Sequence, residues 1–217
     1  MKVLFISFFL VLGDQISKFM VKGFAIPFLN FRYEGMFHGQ RIRIIGDFFQ
    51  LTFIENPGMA FGYDPGSGFK LYVSLFSLIA SIALIVYLYL SRAKSLSLRI
   101  SLAFILGGAV GNLIDRMFYG VFYGYAPLFY GRVVDFLDFD FFHFNLFGRT
   151  FERFPVFNLA DASVTIGVLI LILFYRHNQT EAEIDTTEIP QSVDPGSINL
   201  NNGTKDDEPD HGKNISL

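Results

Sequence analysis

Residues 71–90 read LYVSLFSLIASIALIVYLYL, twenty positions from Leu71 to Leu90 without one charged side chain. A helix rising about 1.5 Å per residue crosses a ~30 Å hydrocarbon core in that length. This stretch makes the chain a membrane protein, and the rest of the sequence is legible around it. Three further apolar runs reach similar lengths: 98–118, 157–175 and 3–21. The run at 3–21 contains Asp14 and Lys18, and its first part resembles the short apolar core of a signal peptide. No small-x-small cleavage pattern follows, and Ile16, Phe19, Met20 and Val21 continue the helical pattern, so a retained helix is expected. The expected fold is an all-α membrane protein, a four-helix bundle with a small extracytoplasmic β-sheet and an outer lid of loop and helix.

Composition agrees. The chain has 217 residues, 52% hydrophobic, with mean hydropathy +0.41, 28 Phe and no Trp. It has no cysteine, which excludes disulfides, thiolate metal sites and a cysteine nucleophile. Nothing in it suggests a nucleic-acid partner. The net charge of −3 is unevenly spread. Residues 178–217 carry nine acidic and two basic side chains, lack aromatics, and are expected to be a disordered cytoplasmic tail. Residues 1–177 form the expected membrane domain.

Lys2, Arg92, Lys94, Arg99 and Arg176 cluster at one set of span ends, which puts both termini and the 91–97 loop in the cytoplasm. The connections around 23–70 and 118–156 then lie outside. With that topology the polar groups of the spans, Asp14, Lys18, Asn112, Asp115, Arg116, Asn158 and Asp161, all gather at the outer edge. Ionisable groups at membrane depth are costly and mark interiors or sites.

Asp161 follows Asn158, a candidate N-cap, in the first turn of the last run, and Asp135 sits in Val134-Asp135-Phe136. Two carboxyls brought close do not ionise together, so one serves as acid and the other as base. Asp161 is expected to be the more easily ionised of the two. Asp14 and Lys18 at i, i+4 are read as a structural ion pair in preference to a catalytic one. Gly107-Gly108-x-x-Gly111 permits close helix approach, and Gly108, Asn112 and Arg116 share a face with Asp115 beside them. That face suits either a peptide-gripping surface or an interfacial Arg-Asp anchor. The run 48–55 has strand composition and ends in Asn56-Pro57-Gly58, placing an outer sheet within about 40–68. Asp138 and Asp140 extend the acidic run from Asp135, all three expected on one face if extended. His143 stands alone, so neither a metal nor another cofactor is expected.

These motifs resemble those of the lipoprotein signal peptidases (signal peptidase II), bacterial membrane aspartic proteases. The matches are Asp14-x-x-x-Lys18, Asn56-x-Gly58-x-Ala60-Phe61-Gly62, Gly107-Gly108-x-x-Gly111-Asn112-x-x-Asp115-Arg116, Val134-Asp135-Phe136 and Phe157-Asn158-x-Ala160-Asp161. The resemblance implies Asp135 and Asp161 as the catalytic pair. It implies Asn56, Gly58, Asn112, Arg116 and Asn158 as substrate-binding, and Asp14, Lys18, Gly108, Asp115 and Ala160 as supporting. It further implies diacylglyceryl prolipoproteins as substrates, cut immediately before the lipidated cysteine, and globomycin-type cyclic peptides as inhibitors. The enzyme is expected to be a monomer in the inner membrane with its site at the outer leaflet. Two features depart from the family pattern: an aromatic insert at 118–125, and lengthened regions at 24–47 and at 139–153, the latter within an outer lid expected at about 119–155. A transporter or proton-coupled channel and a non-catalytic scaffold are the rival readings. The first needs polar groups through the whole depth of the bundle, and the inner halves of spans one, two and four lack charges.

Overall fold

The computed structural model describes residues 2–58, 67–140, 144–146, 149–151 and 153–187. Ala60, Phe61 and Gly62 of the motif, His143, and the tail from 188 onward lie outside the described residues.

The first helix, α1 (Leu4–Lys22), is a soluble amphipathic helix turned inside out. Its buried stripe is Ser7, Asp14, Gln15, Lys18 and Val21, while Phe5, Phe9, Leu12, Ile16 and Met20 stand exposed on the other side. Lipid is the solvent that rewards this arrangement. α2 (Ser67–Leu90) contains the opening stretch and exposes Tyr72, Phe76, Ile79, Ile82 and Val86. α3 (Leu96–Ile114) starts at an Ser95 cap, whose Oγ accepts from Leu98 N–H. A π-helical turn, Asp115–Tyr119, and one further turn, α4 (Gly120–Phe122), prolong it into the aromatic insert. α5 runs Leu159–Thr187. Among the described residues, three helices are long and apolar enough to cross a membrane, 4–22, 68–93 and 96–122, and 159–174 is a shorter apolar segment. The backbone of α5 continues past the boundary expected at residue 177. Glu181, Ala182 and Glu183 are good helix formers, and extending an existing helix costs little.

Glycine seams hold α3 at the centre, with α1 on one side and α5 on the other. A Cβ on Gly107 would lie 3.0 Å from Leu10 Cβ, and one on Gly108 would lie 2.2 Å from the Ala160 carbonyl oxygen. One on Gly111 would meet the Asp14 carboxylate at 2.6 Å. Close backbone approach through small residues is the usual way membrane helices associate. Gly108→Ala has backbone, not a flexible side chain, in its way. It is expected to cost about 1–3 kcal/mol of stability, read as a lower unfolding temperature in micelles, and to shift the first turn of α5, which carries Asp161.

The strands form three small antiparallel sheets: β1 (Phe24–Ile26) with β2 (Phe31–Tyr33), then β3 (Arg41–Ile45), β4 (Phe49–Asn56) and β5 (Val133–Phe139) in that order, then β6 (Phe144–Leu146) with β7 (Arg149–Phe151). The sheet expected within 40–68 is there, but it takes its third strand from the region expected to be lid. β5 is almost wholly buried on both faces, so it lacks the alternation that marks a half-exposed strand. Ile54 pairs with Asp135 and Asn56 with Val133, which aligns Asn56 and Asp135 on one face of the ladder. The other face packs Phe53, Val134 and Phe136 against Val21 and Tyr119.

Candidate active site

Asn158 caps α5. Its Oδ1 accepts from Asp161 N–H at 3.0 Å, and its own N–H donates to Asp161 Oδ2 at 3.3 Å, a reciprocal capping box. The arrangement fixes the Asp161 side chain at a helix N-terminus, where the macrodipole favours a carboxylate. Asp135 arrives from the other direction, on β5. The Asn158 amide joins the two acids: its Nδ2 donates to Asp135 Oδ1 at 2.7 Å.

Three asparagines obey one rule here. An amide whose oxygen is occupied by a donor must turn its NH2 elsewhere. Asn158 gives its oxygen to Asp161 N–H and its NH2 to Asp135. Asn112 gives its oxygen to Lys18 Nζ at 3.0 Å, so its Nδ2 donates to Asp161 Oδ1 at 2.8 Å. Asn56 gives its oxygen to Gly58 N–H at 3.0 Å, which leaves its amide to bond the Asp135 carboxyl. Gly58 makes that turn at φ +91°, a conformation glycine adopts freely. Both acids therefore receive donors from side chains whose orientation is set elsewhere.

Beneath them lies a fully buried ionic hub. Lys18 Nζ is 2.8 Å from Asp14 Oδ2 and 2.8 Å from Asp115 Oδ2, with all three side chains at most 1% exposed. The i, i+4 pair expected from the sequence forms, and Asp115 makes it a triad. Each hub carboxylate also holds the backbone beside one candidate catalytic acid. Asp14 Oδ1 accepts from Ala160 N–H at 3.0 Å, and Asp115 Oδ2 accepts from Val134 N–H at 3.1 Å. Gln15 Nε2 bridges Asp14 and Asp115, and Tyr119 O–H donates to Gln15 Oε1. Gln15 and Tyr119 were not singled out in the sequence. The signal was the density of polar residues in Asp14-Gln15-x-Ser17-Lys18 within an apolar run.

Arg116 lies close enough to Asp161 and Asp135 to feel both charges. Its Nη1 is 3.5 Å from Ser77 Oγ, and its buried Nε has no hydrogen-bond partner among the described residues. A pocket of 510 Å³ opens on Asn56, Asp135 and Asp161, with Pro155 and Val156 as one wall and Thr165 and Ile166 of α5 as another. Burial first, and then the negative charge of Asp161, push the Asp135 carboxyl up from 3.8 to about 7. The donors from Asn56 and Asn158 pull the other way and do not win.

The expectation that Asp135, Asp138 and Asp140 share a face does not hold. Asp135 and Asp138 differ in strand parity. Asp138 turns to Thr52 Oγ1 and to Arg153 Nε at 2.8 Å, and Asp140 is 3.2 Å from Arg153 Nη1. Arg153 thereby fastens the segment that walls the pocket.

The chain is similar to known proteins over most of its length. The family model described as Signal peptidase (SPase) II matches residues 6–176. The lipoprotein signal peptidase of Pelodictyon phaeoclathratiforme is 34% identical over 193 residues, 87% of this chain and 99% of that protein. That of Moorella thermoacetica is 37% identical, over 79% of this chain and 90% of its own. A bacterial membrane enzyme solved by the in meso method at 1.9 Å matches with a TM-score of 0.57 and 29% identity, covering 79% of this chain and 90% of that one.

Proposed function

The chain belongs to the signal peptidase II family, bacterial membrane aspartic proteases that remove signal peptides from prolipoproteins, and from that premise we propose that Asp135 and Asp161 are its catalytic pair. The observation that carries this reading is the single amide, Asn158, bonded to both acids across one pocket.

Asp161, at a helix N-terminus with donors on both oxygens, is the base that takes a proton from the attacking water. Asp135, whose burial favours the neutral acid, donates its proton toward the scissile carbonyl oxygen and so polarises the carbonyl carbon. After attack, the proton collected by Asp161 passes to the leaving amine as the C–N bond breaks, and one hydroxyl of the tetrahedral intermediate returns its proton to Asp135 as the carbonyl re-forms. Arg116, close enough to both acids to feel their charges, and Asn112, bonded to Asp161, offer donors to an extended peptide. The cut falls immediately before a lipidated cysteine, the diacylglyceryl group lying along the apolar side of the pocket toward Ile166, which is 44% exposed on the outer surface of α5. Globomycin-type cyclic peptides occupy the same pocket.

In the proposed topology four spans make the peptidase domain of residues 1–177. Both termini are cytoplasmic, the sheet and a lid within 119–155 lie outside, and the pocket opens at the outer leaflet. One chain supplies both acids, so the enzyme works as a monomer. The deciding experiment is a gel-shift assay of a purified diacylated prolipoprotein with Asn in place of either aspartate.

A pH dependence follows. Asp135 must hold its proton to act as the acid, so kcat/KM is expected to fall as pH rises through about 7, with the slope of one proton. Stability moves the same way. A carboxyl raised in the folded state contributes most below its unfolded value of 3.8, and that contribution is lost as pH rises through about 7. A rate still climbing steadily above pH 8 would contradict the assignment.

A further inference from the structure

The hairpin β1–β2 takes no part in the site, and among the described residues none covers its tip. It leaves α1 through Gly23 alone, at φ +81°. Its base is pinched against the helix end: a Cβ on Gly23 would lie 2.4 Å from the Glu34 carbonyl oxygen, and one on Gly35 would lie 2.3 Å from Gly23 N. Met36 N–H donates to Val21 O at 2.7 Å, and Tyr123 O–H donates to Gly23 O at 2.7 Å. The hairpin is therefore held at a set position on the end of a membrane-length helix.

Its outer part is different in character. The two strands pair only with each other, Phe24 with Tyr33 and Ile26 with Phe31. The tip is a 3-10 turn, Pro27–Leu29, closed by Asn30 at φ +48°. Phe28 is 86% exposed, Leu29 62% and Phe31 49%. A lone two-stranded ribbon is marginal in water, and an apolar cluster of this kind signals a partner. The charged side chains, Arg32 opposite Ala25 and Glu34 at the base, lie off the tip and are 73% and 76% exposed.

We propose that this hairpin is an interfacial anchor whose tip, Phe28 and Leu29, inserts into the lipid leaflet at the C-terminal end of α1. The occupant is lipid because the surface is continuous with one that lipid already covers. The exposed stripe of α1 runs Phe5, Phe9, Leu12, Ile16, Met20 and ends three residues before Gly23. Exposed aromatic and aliphatic side chains on a hairpin fixed to that end suit the acyl boundary, and the Arg32–Glu34 pair suits the headgroup zone. The anchor fixes the depth of the α1 end, and with it the hub at Asp14 and Lys18 that holds the two aspartates. A substrate tethered by its own acyl chains presents its scissile bond at a fixed depth, so enzyme and substrate are gauged against the same surface. Only that consequence, and the assignment of the leaflet as the outer one, rests on the proposed function.

The chain contains no tryptophan, so a single indole reports alone. Phe28→Trp and, separately, Leu29→Trp are reconstituted as full-length protein in vesicles with and without brominated acyl chains. The anchor requires blue-shifted emission and a loss of intensity with bromines near the carbonyl end of the chain, larger than with bromines near the terminal methyl. Processing activity close to that of the unsubstituted protein shows that each variant is folded. Emission of a hydrated indole, quenched by aqueous iodide and untouched by bromolipid in both variants, overturns the proposal. So does a blue shift that grows with protein density and ignores bromolipid, which would assign the tip to a second copy. The readout does not depend on the aspartates, so failure of the dyad and failure of the anchor are separable.

Discussion

Asp135→Asn and Asp161→Asn are each expected to lower processing of a diacylated prolipoprotein by about 10³-fold or more, at the upper part of the range for losing a general acid or base. The substitutions are close to isosteric, so the pocket and its walls stay. In Asp161→Asn the new amide keeps an oxygen for one of its two present donors, Asn112 Nδ2 or Asn158 N–H, and turns NH2 toward the other. That mismatch weakens the cap by about 1 kcal/mol, far less than the catalytic loss. Asp135→Asn keeps an amide oxygen to accept from Asn158 Nδ2, disturbs at most the bond from the Asn56 amide, and removes the transferable proton.

The discriminating quantity is the separation of activity from stability. Both variants are expected to unfold within a few degrees of the unsubstituted enzyme while the mature lipoprotein band disappears. The like-charge contact between the acids adds a sign: Asp161→Asn removes the charge that helps hold the Asp135 proton, so Asp135 then ionises at lower pH. Normal processing by either folded variant would leave Asp135 and Asp161 as structural acids and end the dyad reading.

What was legible in the sequence divides along physical lines. Span α2 was readable because lipid exposes it on most sides and demands apolar residues throughout. The Asp14–Lys18 pair and the Asn158 cap were readable because both are local, decided by i, i+4 spacing and by a helix start. Asp135 was found as a residue but not as part of a strand. Its neighbours are buried on both faces, and the partner that makes them a strand, Ile54, is 81 positions away in sequence. The π turn at 115–119 was equally hidden, since no composition specifies it. The aromatic insert read as an expanded loop. In the fold Tyr119, Tyr123 and Tyr125 surround Lys22 Nζ, with Tyr123 at 4.2 Å, while Lys22 pairs with Glu55, the residue before Asn56. No local signal could announce a contact assembled from α1, β4 and the end of α3.

Lys18→Met is expected to be the most destabilising single change in the chain, by about 3–5 kcal/mol, the cost of stripping the partner from a buried charge. Lys18 has three N–H donors and all are spent, on Asp14, Asp115 and Asn112. Methionine fills the space and supplies none. Two carboxylates, 1% and 0% exposed, then face each other with only Gln15 between them. Their repulsion pulls on the Ala160 and Val134 amides, each one residue from an acid of the proposed pair. Asn112 loses one of the two donors to its oxygen and keeps only Asn158 Nδ2, so the orientation that offers its NH2 to Asp161 is held less firmly. Loss of fold and loss of rate should therefore appear together, which is the opposite of the pattern expected for the aspartate variants. Adding Asp115→Asn to Lys18→Met removes one of the opposed charges and should recover part of the unfolding temperature while leaving Asn112 without its Lys18 donor, so kcat stays low. If Lys18→Met alone kept both its unfolding temperature and its kcat, the hub would not be what holds Asp135 and Asp161 in register.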